Sequence, residues 1–121
     1  MKREMDLIRD ILLEIQASTG KVEMSIPDEP GMEDQWAKLH QVKLLIKGGY
    51  LEGVAHCDPQ GRCFAATVMD LTWQGHDLVD NIATETVWAK TKEALKDFGG
   101  SVSADLLKTV STTVAAKLLG L

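Results

Sequence analysis

What this sequence lacks narrows it before any motif is considered. It has no basic excess: 13 Lys and Arg stand against 18 Asp and Glu, a formal net charge of −5. Cut at residues 31 and 70, the three stretches carry −3, −1 and −1, so none of them is basic. Neutralised phosphates and released counterions supply most of a nucleic-acid binder's affinity, so only local clustering of cations supports such a role here. A long apolar run is missing too. The first segment, MKREMDLIRDILLEI, is too charged for a signal peptide or a membrane span. The chain is therefore expected to be cytoplasmic, with no membrane partner. Cysteine is confined to Cys57 and Cys63, and a structural zinc site wants four ligands. In a cytoplasmic chain the two are expected to be reduced thiols in a small apolar cross-strand contact. No GxxxxGK[ST] phosphate loop occurs, and His40, His56 and His76 have no nucleophile at a triad-like spacing. No enzymatic activity, cofactor, metal or small-molecule substrate is expected.

What is present is ordinary globular material, 45% apolar and 26% charged, enough for one domain over residues 1–121 with a core of its own. Met5, Ile8, Ile11, Leu12 and Ile15 fall at helical spacing, with Arg3, Asp6, Arg9, Asp10 and Glu14 between them as a solvated face. Ser18-Thr19-Gly20 stops that helix, with Gly20 placed for a left-handed turn. Lys21 to Ile26 alternates as a short half-buried strand, and Pro27 and Pro30-Gly31 make a loop after it. A second helix starts near Met32 or Glu33. It buries Trp36, Leu39, Val42, Leu45 and Ile46 and ends at Gly48-Gly49. Tyr50 to Cys57 and Arg62 to Met69 form a hairpin around Asp58-Pro59-Gln60-Gly61.

Thr72 is placed to cap the next helix, WQGHDLVDNIA, which Trp73, Leu78, Val79 and Ile82 anchor. Gly75 in its first turn points to a close packing contact, since an unneeded glycine there costs about 1 kcal/mol of helix propensity. His76 is expected to cap or pack the start of that helix. Thr84 caps a further helix with Val87, Trp88, Thr91, Leu95 and Phe98 inside, ended by Gly99-Gly100. A last helix from about Ala104 to Leu119 carries a stripe of Leu107, Val110, Val114 and Leu118. The three tryptophans are expected as core or interface anchors. Residues 84–121 serve either the core or a homodimer interface.

Helix, strand, helix with a glycine stop, hairpin and helix is the order of an α+β winged helix-turn-helix-like domain. Such a domain has a three-stranded antiparallel sheet, and here it carries extra C-terminal helices. The helix that usually precedes the recognition helix has only Ile26 to Met32 to occupy, where two prolines and a glycine oppose it. QVKLLIKGGYLEG resembles the end of the recognition helix in arsenic-responsive-type repressors. LTWQGHDLVD resembles the entry to the post-wing helix of multiple-antibiotic-resistance-type regulators. Together with MKREMDLIRDILLEI, TVWAKTKE and SVSADLLK, these segments resemble the domain of unknown function 2513 family of short bacterial and prophage proteins, over nearly the whole chain. The resemblance implies a winged-helix-like fold and no established activity. The chain departs from the family pattern at Gln41-Val42, where a His-Leu pair is expected, and at Gly48, where an Ala is usual.

Two readings of function follow. In the first, the outward side of the Trp36–Lys47 helix contacts double-stranded DNA through His40, Gln41, Lys43 and Lys47, with Arg62 at the wing meeting a phosphate. In the second, Leu44 and Ala37 on that side and the acidic balance make the domain a protein-interaction or self-association module without DNA.

Overall fold

The computed structural model of the chain describes residues 4–98 and 100–120. Arg3 of the first helix and Gly99 of the expected stop lie outside the described residues. The element order is α1 (Glu4–Ala17), β1 (Val22–Ser25), α2 (Glu33–Lys47), β2 (Leu51–Cys57), β3 (Cys63–Leu71), α3 (Trp73–Ala83), α4 (Glu85–Leu95) and α5 (Ala104–Leu118). This is a mixed α+β architecture: five helices and one three-stranded antiparallel sheet in the order β1-β3-β2 among the described residues.

Paired residues of neighbouring strands share a face, and the register sets the faces of this sheet. Val22, Val68 and Gly53 lie in one row, and Met24, Ala66 and Ala55 in another, both turned toward the helices. Glu23, Thr67 and Val54 form a row on the other side, which no helix covers, and there Val54 is exposed. α2 packs on β2 and β3, while α1 sits against α2, α3 and β3. Met5, Ile8, Ile11, Leu12 and Ile15 of α1 are all buried, as their spacing predicts. Each fully buried aliphatic side chain contributes about 1.5–3 kcal/mol, so α1 is the chief apolar strut of the helical layer. α3 and α4 both pack against α5, whose Leu107 is fully buried. Among the described residues no helix is long and apolar enough to cross a membrane.

Backbone punctuation follows the sequence closely, with one shift. The left-handed stop of α2 falls on the second glycine, Gly49 (φ 85°), while Gly48 stays helical at φ −78°. At the hairpin Gly61 takes φ 89°, and Asp58 Oδ1 accepts the Gln60 and Arg62 amides, which fixes the turn. The loop between β1 and α2 holds no helix, in keeping with its prolines.

Several expectations are corrected. Gly20 has no positive φ, and α1 is closed instead by the Ser18 hydroxyl donating to the Ile15 carbonyl at 2.9 Å. Trp73 is not an anchor: as the first residue of α3 it stands 88% exposed beside Glu52 and His76, and no further element covers it among the described residues. Of the three tryptophans only Trp88 is buried, and Trp36 is half-buried. Phe98 is exposed, because α4 ends at Leu95 and the chain leaves the core there. The inner stripe of α5 runs through Leu107 and a fully buried Ser111, and Leu118 is exposed beyond it. Arg9 does not belong to a solvated face. Its guanidinium donates to the Ile82 and Ala83 carbonyls at 2.8 and 3.2 Å. Cys57 and Cys63 are not free thiols: they are directly paired residues at the hairpin end, with Cα atoms 3.8 Å apart, and they form a disulfide.

Candidate nucleic-acid face and the cleft beside it

Winding α2 at about 100° per residue separates two edges of the helix that a sequence pattern merges. Trp36, His40, Lys43 and Lys47 share one strip, and His40 and Lys47 on it are exposed. The hairpin folds back along this strip and does not project from it. Its turn reaches the first part of α2, where the Arg62 guanidinium lies 5.0 Å from the centre of the Trp36 ring. A side-chain carbon built on Gly61 would lie 4.0 Å from Lys43 Nζ, which puts that ammonium beside the same turn. None of the ion pairs among the described residues uses Lys43, Lys47 or Arg62. Lys38, by contrast, is held by Glu14 at 2.9 Å, and Lys92 by Asp6 at 3.3 Å.

Gln41 does not belong to this strip, which corrects its assignment as an outward reading residue. It is 8% exposed and turns from the strip toward α1 and the start of α5. There it lines a cleft of about 580 Å³ together with Leu7, Ile8, Leu44, Leu45 and Val102. His40 reaches both, standing on the strip and at the cleft wall. Of the five residues predicted from sequence, the structure brings Lys43, Lys47, Arg62 and His40 to one surface and moves Gln41 beneath it.

A polar pair that sequence reasoning missed lies in the cleft wall. Tyr50, 1% exposed, donates its hydroxyl hydrogen to Asp105 Oδ1 in the first turn of α5. Burial, then the hydrogen bond to Asp105 and the charge of that carboxylate, raise the Tyr50 hydroxyl well above the ordinary tyrosine range. No local signal ties positions 50 and 105 together; only the docking of α5 does so. A tyrosine whose folded pKa is raised keeps its proton where the unfolded chain, near pH 10, has lost it. The stability it contributes is therefore full below about pH 10 and declines as pH rises past that value. Tyr50→Phe is expected to cost about 1–2 kcal/mol near neutrality. The gap between wild type and variant should shrink by about 1.4 kcal/mol between pH 9 and pH 11. Urea unfolding across that range measures it, and a pH-independent gap would count against the coupling.

His76, expected to cap or pack α3, does neither. Thr72 caps the helix by accepting the Gly75 amide at 3.1 Å, and His76 is exposed in a shallow depression with Glu52, Thr72 and Trp73.

Comparison with known proteins finds a family model, described as hypothetical protein (DUF2513), that matches residues 2–101. A relative from Haemophilus influenzae, described as an uncharacterized protein, is 33% identical over 120 residues, covering 98% of this chain and 99% of its own. No solved structure matches.

Proposed function

The chain belongs to the family described as hypothetical protein (DUF2513), and from that premise we propose that it is a winged-helix-like regulator that grips the backbone of double-stranded DNA. The fold order supports this reading. A helix and a short edge strand precede α2, and the hairpin β2–β3 follows it directly and completes a three-stranded antiparallel sheet. In a winged helix those positions belong to the recognition helix and the wing. The segment between β1 and α2, which normally holds the first helix of the turn, is a proline-bearing loop here. Recognition then falls on α2 and the hairpin alone.

The observation that carries the proposal is the set of uncompensated cations. In an acidic chain whose other cations on α1, α2 and α4 are largely met by carboxylates, Lys43, Lys47 and Arg62 share one surface without a partner carboxylate among the described residues. Lys43 and Lys47 are one helical turn apart, a spacing suited to phosphates along a groove edge. Trp36 holds Arg62 in place by cation–π attraction, worth about 0.5–1 kcal/mol at an exposed site. With Gln41 withdrawn inward, His40 is the remaining side chain able to reach a base edge. Backbone contact should therefore dominate over sequence readout.

A labelled mixed-sequence duplex titrated at 50 and 200 mM salt tests this. Three neutralised phosphates give a log–log salt slope of about −2.7 and an affinity loss of about forty-fold across that range. Changing both Lys43 and Lys47 to Glu should remove binding at micromolar protein, and absence of salt-sensitive binding in the wild type would defeat the proposal. The second reading, a protein-association module, is favoured by a separate surface: Val54, Met69 and Trp73 are exposed on or beside the uncovered sheet face, and Leu118 and Leu119 at the end of α5. Light scattering decides whether the chain forms a homodimer. A strict monomer at high concentration excludes self-association.

A further inference from the structure

We infer that the cleft between α1, α2 and the start of α5 is a binding site for a small organic cation, an apolar body carrying a protonated amine. The cleft lies within the size range of small-molecule sites, roughly 300–1,000 Å³, and it is lined by aliphatic side chains from three separate elements. Among the described residues its carboxylates are Glu4 and Asp105, with His40 on the α2 wall. Glu4 comes from the start of α1 and Asp105 from the first turn of α5, and no Lys or Arg among the described residues lines the wall. Neither carboxylate has an ion-pair partner among the described residues.

Three local features fix the polarity of the occupant. Asp105 Oδ1 accepts the hydrogen bond donated by the Tyr50 hydroxyl, which leaves Oδ2 with full acceptor capacity. The start of α5 would by itself attract an anion. That field is already met, because the Ser103 hydroxyl takes the Leu106 amide at 3.1 Å and Asp105 sits in the first turn. Tyr50 is kept protonated by its surroundings and adds no charge.

Gln41 supplies independent support. It is more than nine-tenths buried, lines the cleft, and forms no side-chain hydrogen bond among the described residues. Its amide is not among the polar atoms sealed away from solvent without a partner, so it opens onto the cleft itself. A buried glutamine that spends none of its hydrogen bonds on the protein is unusual. Here it offers an acceptor and two donors to whatever enters. An aromatic or branched aliphatic amine matches the set. Its body would lie against Ile8, Leu44 and Val102, its ammonium at Asp105 or Glu4, and any further polar atom at Gln41.

The test uses the whole chain, isotopically labelled, titrated with tryptamine and with two compounds of the same ring, tryptophol and indole-3-acetate. Tryptamine should produce saturable shifts at the Gln41 side-chain amide and at the Leu44 and Val102 backbone amides. It should bind about tenfold tighter than tryptophol, the margin of one charge-assisted contact over a neutral one. Indole-3-acetate should not saturate. Gln41→Leu and Asp105→Asn should each weaken tryptamine by about fivefold to tenfold. Leu44→Trp should abolish binding by filling the space. Should Asp105→Asn loosen α5, the rim change Glu4→Gln provides the same electrostatic test without touching Tyr50. Equal or tighter binding of the acetate overturns the inference, as do shifts confined to the Trp73 surface, affinity indifferent to Gln41→Leu and Glu4→Gln in folded variants, or no tryptamine binding at all.

Discussion

Gly75→Ala is expected to lower the stability of the domain by about 3 kcal/mol or more and its unfolding temperature by roughly 10 °C. A Cβ at this position would lie 3.1 Å from the Tyr50 carbonyl carbon and closer still to its oxygen, with Leu71 Cδ2 at 3.2 Å behind it. The obstacle is backbone, so no rotamer change relieves it, and α3 must withdraw from the start of β2. That withdrawal breaks a small interlock. The Thr72 amide donates to the Tyr50 carbonyl at 3.1 Å, the Thr72 hydroxyl donates to the Gly49 carbonyl, and the same hydroxyl accepts the Gly75 amide. The end of α2 and the beginning of α3 are joined there, so the change should also loosen the cleft floor at Tyr50. Gly20→Ala is the matched control. Gly20 has nothing within 4 Å of an added Cβ and no positive φ, so alanine there should be neutral or stabilising by about 0.5 kcal/mol. Thermal unfolding of the two variants side by side measures the contrast, and equal effects would show that the Gly75 approach is not tight.

Arg9→Met is expected to cost about 3 kcal/mol, since hydrogen bonds from a charged donor are worth about 1.5–3 kcal/mol and the change removes two to backbone carbonyls besides an exposed one to Glu85. The Arg9 side chain is only 15% exposed. It reaches from α1 to the last carbonyls of α3, Ile82 and Ala83, which have no later helical amide to take them, and a cation there also meets the negative end of the helix dipole. The guanidinium lies 5.3 Å from the centre of the Trp88 ring and 3.0 Å from Glu85, so one side chain ties α1, α3 and α4 together. Methionine keeps the apolar stem and removes only these bonds. Arg9→Lys should recover less than half of the loss, because one ammonium cannot reproduce the fork that serves both carbonyls. Glu85 is largely exposed, and Glu85→Gln should have little effect. Urea midpoints with an unchanged m-value would measure the ranking. A small Arg9→Met effect would mean that water replaces the guanidinium at the α3 terminus.

Much of the architecture was legible along the chain because it is set by local periodicity and turn chemistry. The five buried apolar positions of α1, the hairpin around Asp58 to Gly61 and the Thr72 cap each depend on residues a few positions apart, and the glycine at position 75 signals a close approach without naming its partner, Tyr50. The family could be identified from segments of the same kind. The mixed α+β class, the three strands and the missing helix before α2 all follow from those local signals.

The errors share a different cause. Trp73 opens α3 and Trp88 lies one turn into α4, and the first is 88% exposed while the second is 6%. Which is covered depends on whether another element packs over it, and periodicity only says that a face is apolar. A polar residue usually marks the solvent side of a helix, but α1 and the start of α5 close over Gln41. Arg9 looked solvated because its partners are more than seventy residues away. Compartment alone predicts free thiols at Cys57 and Cys63, whereas their pairing depends on a strand register that places them directly opposite. The sequence by itself determined the elements, their ends and the apolar face of each, since those are decided within one or two turns of chain. Only the tertiary structure decided which faces are covered and which distant side chains meet. That is why the cations by the hairpin and the cleft behind α2 emerge as two separate surfaces of one helix.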